Sequence, residues 1–253
     1  MATKPKRPAK YDLKAADRKR NLAIQIGLTA VVVIFAVALV LYIVMGSDKK
    51  QSGEVQAVRV ASSSLITNEG SADPKAVLSL YEDFQCPHCR SFEQAMGPTI
   101  TKLIDSGAVA TDYNMVAILD TPTNDNYSTR SANAAYCVAE EDTTPTKEAF
   151  RRFHGALFAN QPAEGSPAPD NASLIETARQ AGVTGGVADC INNGNYDDMV
   201  GGLAAASNIN STPSVKINGE DYQYSTPEDL VAKIKEIVGD VPGLDAAATP
   251  AAS

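Results

Sequence analysis

Cysteine is scarce in this sequence, with four residues in 253. Cys86 and Cys89 form one Cys-x-x-Cys pair, while Cys137 and Cys190 stand alone in helix-like segments. The lack of a second pair removes the ligand spacing of a structural zinc site, so no metal is expected. No internal repeat is present. Clustered positive charge is absent beyond the first twenty residues. Within 1–20 there are eight basic residues (Lys4, Lys6, Arg7, Lys10, Lys14, Arg18, Lys19, Arg20) against two acidic ones (Asp12, Asp17), a net of +6. With −8 for the whole chain, the remainder carries −14. Such an acidic remainder has no nucleic-acid footprint.

Charge is missing altogether from "LAIQIGLTAVVVIFAVALVLYIVM", the 24 residues from Leu22 to Met45. A membrane helix needs about 20 apolar residues to cross a hydrocarbon core of about 30 Å. The run exceeds the apolar core of a cleaved leader, and no Ala-x-Ala site follows it. It is therefore read as an uncleaved anchor. Lysine and arginine stay on the cytoplasmic side, so residues 1–21 form a basic cytoplasmic arm, 22–45 the transmembrane helix and 46–56 a linker. The rest lies outside the cytoplasm, where disulfides persist. Its composition, 44% apolar and 21% charged over the chain, suits a globular domain.

That domain reads as α/β over 57–240. Strands are expected at 57–67 and 76–84, separated by the turn-rich "NEGSADPK". In the second strand Leu78, Leu80, Glu82 and Phe84 share one face. Phe92, Met96, Ile100, Leu103 and Ile104 then recur at helical spacing, with a kink expected at Gly97-Pro98. A strand at 109–119 precedes a helical insertion over about 124–210, in which Ser173 and Glu176 suggest a capping box. "PSVKING" and "DYQYS" predict a hairpin across Asn218-Gly219. "TPEDLVAKIKEIVG" predicts a helix with Thr226 as N-cap and Pro227 at its first position. Residues 241–253 lack apolar periodicity and are expected to be disordered.

Chemistry concentrates in "YEDFQCPHCRSFEQ", residues 81–94. Cys86 falls between a strand end and the first turn of a helix, where unpaired N–H groups and the helix dipole favour an anion. That environment lowers a thiol's pKa from about 8.5. Pro87 suits the first helical turn, and His88 offers the sulfur a cationic or hydrogen-bonding neighbour. Cys89, one turn along, is the inner, second-acting sulfur. A plain structural crosslink is a poor alternative, because so short a loop gains little chain entropy. An acidic Cys86 stabilises the reduced pair, which makes the Cys86–Cys89 disulfide an oxidant.

The strand–CPHC–helix unit, the helical insertion and "NSTPSVKING" resemble the DsbA family of thioredoxin-fold thiol–disulfide oxidoreductases. Anchored versions with a second cysteine pair are similar to those of mycobacteria and related actinobacteria. The resemblance covers about 57–240. It implies a thioredoxin fold with inserted helices, and a cis-proline loop at Thr212-Pro213 packed against the Cys86–Cys89 pair. It also implies reduced exported proteins as substrates and reoxidation by a quinone-linked membrane partner of the DsbB or VKOR type. No cofactor is expected beyond the redox-active disulfide. The chain departs from the family at Leu80, where many members keep a buried carboxylate; Glu82 on the same face is a candidate proton relay. Cys137 and Cys190 are read as a structural bridge across the insertion, with a second redox pair as the alternative. His154, in "RRFHGALF", is read as a packed or surface residue without a role. Two other functions stay open: a reductase or isomerase on the same fold, and a redox-inert chaperone or binding module.

Overall fold

Buried Leu78, Leu80 and Glu82 alternate with half-buried Val77, Ser79 and Tyr81 from Val77 to Glu82, and this strand becomes the centre of the sheet. The computed structural model describes residues 57–244. The arm, anchor, linker and last nine residues of the tail lie outside the described residues. Among the described residues, no helix is long and apolar enough to cross a membrane.

Five strands, β1 (Val58–Val60), β2 (Val77–Glu82), β3 (Ala110–Met115), β4 (Ser214–Ile217) and β5 (Glu220–Asp221), form a mixed sheet in the order β1-β3-β2-β4-β5. β2 runs parallel to β3 and antiparallel to β4, with Leu80 opposite both Tyr113 and Val215. The parallel pair is joined by α1 (Pro87–Asp105). Five helices separate β3 from β4: α2 (Tyr127–Glu141), α3 (Glu148–Ala159), α4 (Asn171–Gln180), α5 (Val187–Asn193) and α6 (Asp197–Ala206). The chain closes with α7 (Pro227–Val238). This is the expected order of strands, helical insertion, strands and helix.

Pattern and packing agree on α1, where Phe92, Met96, Ile100, Leu103 and Ile104 are all buried. The helix continues through Pro98. α1 packs on both α7 and α3, so it ties the sheet layer to the helical insertion. α2 is buried on nearly every side, from Ser131 to Ala139, and the other four helices of the insertion surround it. Small residues at Ala132, Ala134 and Ala135 suit that central place.

Several boundaries differ from the sequence expectation. β1 stops at Val60 instead of 67, because the Ser62 hydroxyl accepts from Ser64 N and turns the chain. The following segment returns to the sheet layer through Ile66 N, which donates to Gly107 O at 2.8 Å. Gly107 sits at φ +76° with backbone of Ser64 where a Cβ would be. β3 ends at Met115 instead of 119, since Ile118 N and Leu119 N donate to the Asp83 carboxylate in place of a ladder. The capping box at Ser173–Glu176 does not form: Asp170 caps α4 by accepting from Ser173 N, and Glu176 pairs with Arg179. Ordered chain also extends past 240, because Val241 and Leu244 are buried against the core. The hairpin turn at Asn218-Gly219 has both residues at positive φ, as its tight two-residue turn requires. Thr226 caps α7, accepting from Asp229 N.

Candidate active site

Cys86 is the N-cap residue of α1, in extended conformation, with Pro87 in the first helical position. Its own N–H is taken by Asp83 O at 2.9 Å, which tightens the turn between β2 and α1. The two sulfurs, both free thiols here, differ sharply in setting. Cys86 keeps 5% of its surface exposed, whereas Cys89 has none. Cys86 Sγ lies 3.4 Å from the Thr212 carbonyl, to which its thiol donates.

The thiolate of Cys86 is favoured, with its pKa lowered to about 5. A hydrogen bond from the Cys89 thiol contributes most, burial opposes it, and the Thr212 side chain and the N–H groups of Cys89 and His88 add to it. His88 therefore acts through its backbone amide, and its side chain is exposed. Burial pushes Cys89 strongly the other way, helped by its bond to Cys86 and by the charge of Glu82. One sulfur is built to carry charge and the other to hold a proton.

Thr212-Pro213 is a cis peptide, as the resemblance implied. Pairing of Tyr81 with Ser214 places it beside Cys86. The Thr212 hydroxyl is buried without a partner while Cys86 is a thiol. Once the thiol ionises, that hydroxyl is free to donate to the sulfur. Thr212→Ala removes this donor, which as a hydrogen bond to a charged group is worth about 1.5 kcal/mol. The Cys86 titration, followed by alkylation rate against pH, is expected to move up by about one unit.

Three residues with no sequence signal hold the motif in place. Asp83 is fully buried and accepts from Gln85 N at 2.8 Å, Ile118 N at 2.8 Å, Leu119 N at 3.1 Å and Ser128 Oγ at 2.7 Å. It thereby joins the active-site turn to the end of β3 and the start of α2. Gln161, just past α3, donates from Nε2 to Phe84 O and Cys86 O at 3.1 and 2.9 Å. Gln85 donates to Ala163 O, and its own carbonyl accepts from the Asn124 amide. The helical insertion thus grips the turn from two sides. Beside it, Pro87, Arg90, Ser91, Gln161 and Ala163 line a groove of about 610 Å³.

Under the motif lies a cluster of ionisable groups. Leu80, at the family's usual carboxylate position, is fully buried and apolar. Glu82 faces the same way and is 2% exposed; its Oε2 lies 3.2 Å from His154 Nε2. Glu93, four residues beyond Cys89 on α1, completes a group whose ligand-type atoms lie within 4.8 Å of one another. Burial raises the pKa of Glu82 and of Glu93, each to about 8. Burial lowers that of His154, which is therefore neutral. Of the two places the sequence left open for His154, the structure shows the packed one: the ring is buried against Phe84, Tyr113 and Phe158 and bonded to Glu82. Nothing local in the sequence announces a contact across 72 residues.

Cys137 and Cys190 are bonded to each other, joining α2 to α5 with 5.8 Å between their Cα atoms. The bond is buried within the helical insertion, remote in sequence from the CPHC turn.

A family model described as thioredoxin matches residues 67–236. Among solved structures, DsbA of Mycobacterium tuberculosis is 61% identical, with a TM-score of 0.72, over 75% of this chain and 96% of that one. The disulfide bond oxidoreductase DsbG of the same organism is 60% identical, with a TM-score of 0.74, over 80% of this chain and 97% of the other. A curated relative is the serine/threonine-protein kinase PknE of M. tuberculosis, 28% identical over 129 residues. That match takes in 49% of this chain and only 22% of the kinase's length.

Proposed function

This chain belongs to the thioredoxin family and is DsbA-like within it, and on that premise we propose that it is a protein thiol–disulfide oxidoreductase that introduces disulfides into exported proteins. The observation that carries the direction of the chemistry is the contrast between the two sulfurs. Cys86 is stabilised as a thiolate and Cys89 as a thiol, so reduction of their disulfide is favourable and substrates are oxidised.

In this reading a substrate thiolate attacks Cys86 Sγ of the disulfide. The S–S bond breaks, Cys89 leaves with the electron pair and takes up a proton, and a mixed disulfide joins substrate to Cys86. A second substrate thiolate then attacks the substrate sulfur of that bond. Cys86 departs as a thiolate, the substrate gains a disulfide, and the protein has received two electrons. Cys86 is the nucleophile of the reverse step and Cys89 the resolving residue. Pro87 and the His88 amide support the first turn of α1, while Thr212 and Pro213 present backbone to an extended substrate segment. A quinone-linked membrane protein of the DsbB or VKOR type is proposed as the acceptor that restores the disulfide. The single-pass anchor at 22–45 and an extracytoplasmic catalytic domain complete the proposal.

The test is the thiol state of the Cys86–Cys89 pair in cells, fixed by acid quench and alkylation. A pair held mainly as the disulfide is expected. A pair held mainly reduced would support the reductase or isomerase instead. Cys89→Ser is expected to accumulate mixed disulfides with exported proteins, and a redox-inert binding module would accumulate none.

A further inference from the structure

Six arginines lie among the described residues. Arg59, Arg130, Arg151, Arg152 and Arg179 each pair with an aspartate or glutamate. Arg90 is the exception. Its Nε is buried with no hydrogen-bond partner, and among the described residues its guanidinium forms no ion pair. Glu93, three positions along α1, is gathered with Glu82 and His154 instead. A charged donor withheld from both water and protein is costly, so its partner is to be sought outside the fold.

Arg90 lines the groove beside the nucleophile. Pro87, the residue after Cys86, borders that groove, and Arg90, Ser91 and Gln94 continue its wall along α1. Helical spacing sets these three opposite Phe92 and Met96, which are buried, Phe92 against Tyr224. The far wall is the segment after α3, and it is tied to the CPHC turn. Gln161 Nε2 donates to Phe84 O and Cys86 O, and Ala163 O accepts from Gln85 Nε2 and from Ser166 N. The cleft is thus preformed, and its volume of about 610 Å³ falls within the range of ligand sites. Few of its polar groups are free. Ser91 Oγ is spent on Pro87 O, and Gln161 has only its amide oxygen left to offer. Glu164 stands exposed on the far wall, so Arg90 supplies the only positive charge in the lining.

We propose that this groove is a second substrate subsite, which receives the stretch of an extended polypeptide flanking its reacting cysteine, and that Arg90 selects a carboxylate in that stretch. The proposal rests on the oxidoreductase reading and names the substrates it favours. Cys86 stands between the two surfaces: the Thr212 carbonyl meets its sulfur, and Pro87 leads from it into the groove. A chain bonded to Cys86 and lying along the cis-proline loop on one side of its cysteine enters the groove on the other. There the guanidinium turns its fork to a glutamate or aspartate side chain, which relieves the unmet Nε. Gln161 Oε1 accepts a backbone N–H of the same stretch. Glu164 opposes a second acid, so one carboxylate on the α1 side is preferred to several. Arg90 is a specificity-determining residue and takes no part in the exchange of electrons.

The experiment measures how fast single-cysteine peptides reduce the Cys86–Cys89 disulfide of the full chain at low ionic strength. The peptides are identical except for Glu or Lys a few residues from the cysteine, placed before it in one pair and after it in another. Rates are taken per peptide thiolate, and the Glu-to-Lys ratio cancels whatever a substitution does to Cys86 itself. On the side that enters the groove, the Glu peptide is expected to react on the order of tenfold faster, the worth of a hydrogen bond to a charged group. Added salt is expected to shrink the ratio. Arg90→Gln is expected to bring it close to one, and Arg90→Lys, which keeps the charge without the fork, to retain part of it. Glu164→Gln is expected to raise it. Should Arg90→Gln fail to fold, Glu164→Gln decides, and a ratio it leaves unmoved would overturn the proposal. So would a parent ratio near one on both sides, or an Arg90→Gln ratio equal to the parent's. Exchange without preference removes the subsite alone, whereas a protein that exchanges with none of the peptides loses the oxidoreductase reading as well.

Discussion

Cys86→Ser is expected to reduce oxidation of a reduced, unfolded substrate to the rate of the uncatalysed control. The loss is complete because no other atom can take the part. A serine hydroxyl forms no disulfide, and Cys89 has no exposed surface from which to meet a substrate. Serine preserves the N-cap position of α1 and so leaves the helix intact, which circular dichroism should verify. Retained activity in this variant would end the proposal. A quieter measurement follows the same sulfur in the parent protein. Because the folded pKa of Cys86 is depressed to about 5, the thiolate's contribution to the reduced protein is present at neutral pH and lost as pH falls through about 5. The stability of the reduced form relative to the disulfide form is expected to decline by at most about 1.4 kcal/mol per unit between pH 7 and 5. Because Cys86 keeps some contact with solvent, screening makes the observed slope smaller than that limit. Urea unfolding of both forms across that range reads it.

Opening the second disulfide should cost stability instead of chemistry. Cys137 and Cys190 are separated by 53 positions, and closing a loop of that size restricts the unfolded chain by about 4 kcal/mol. The Cys137→Ala, Cys190→Ala double variant is therefore expected to unfold at lower urea with a deficit of about that size. Both sulfurs lie in the interior of the insertion, so small cavities add to the loss. The insertion holds the active-site turn through Gln161 and through Asn124 on Gln85. At temperatures where the variant stays folded, Cys86 is expected to alkylate with an unchanged pH profile. A shifted profile would show that the bridge tunes the thiol as well as the fold.

Local signals in this chain were legible wherever one short segment decided the outcome. Pro87 and the CPHC spacing announce a helix start, Asn218-Gly219 a hairpin and Thr226-Pro227 a capped helix, because each acts on backbone within about four residues. The apolar spacing on α1 named Phe92, Met96, Ile100, Leu103 and Ile104, all of them buried, and missed only Thr99 beyond Cys89. Errors arose where another group, distant or near, competed for the backbone. β3 ends early because Asp83, 35 residues before Ile118, accepts its amide. Ser173 lost the cap of α4 to Asp170 because the chain enters the helix earlier than its apolar pattern begins.

What the sequence determined unaided was a thiol pair at a helix N-terminus within an α/β chain, since spacing and backbone preference are properties of neighbours. Tertiary structure alone decided which groups surround those thiols. Thr212 reaches Cys86 across 126 positions, Gln161 across 75, and His154 reaches Glu82 across 72. Folding brings these together by burying faces against one another, and the electrostatics of a buried site depend on every neighbour it acquires that way.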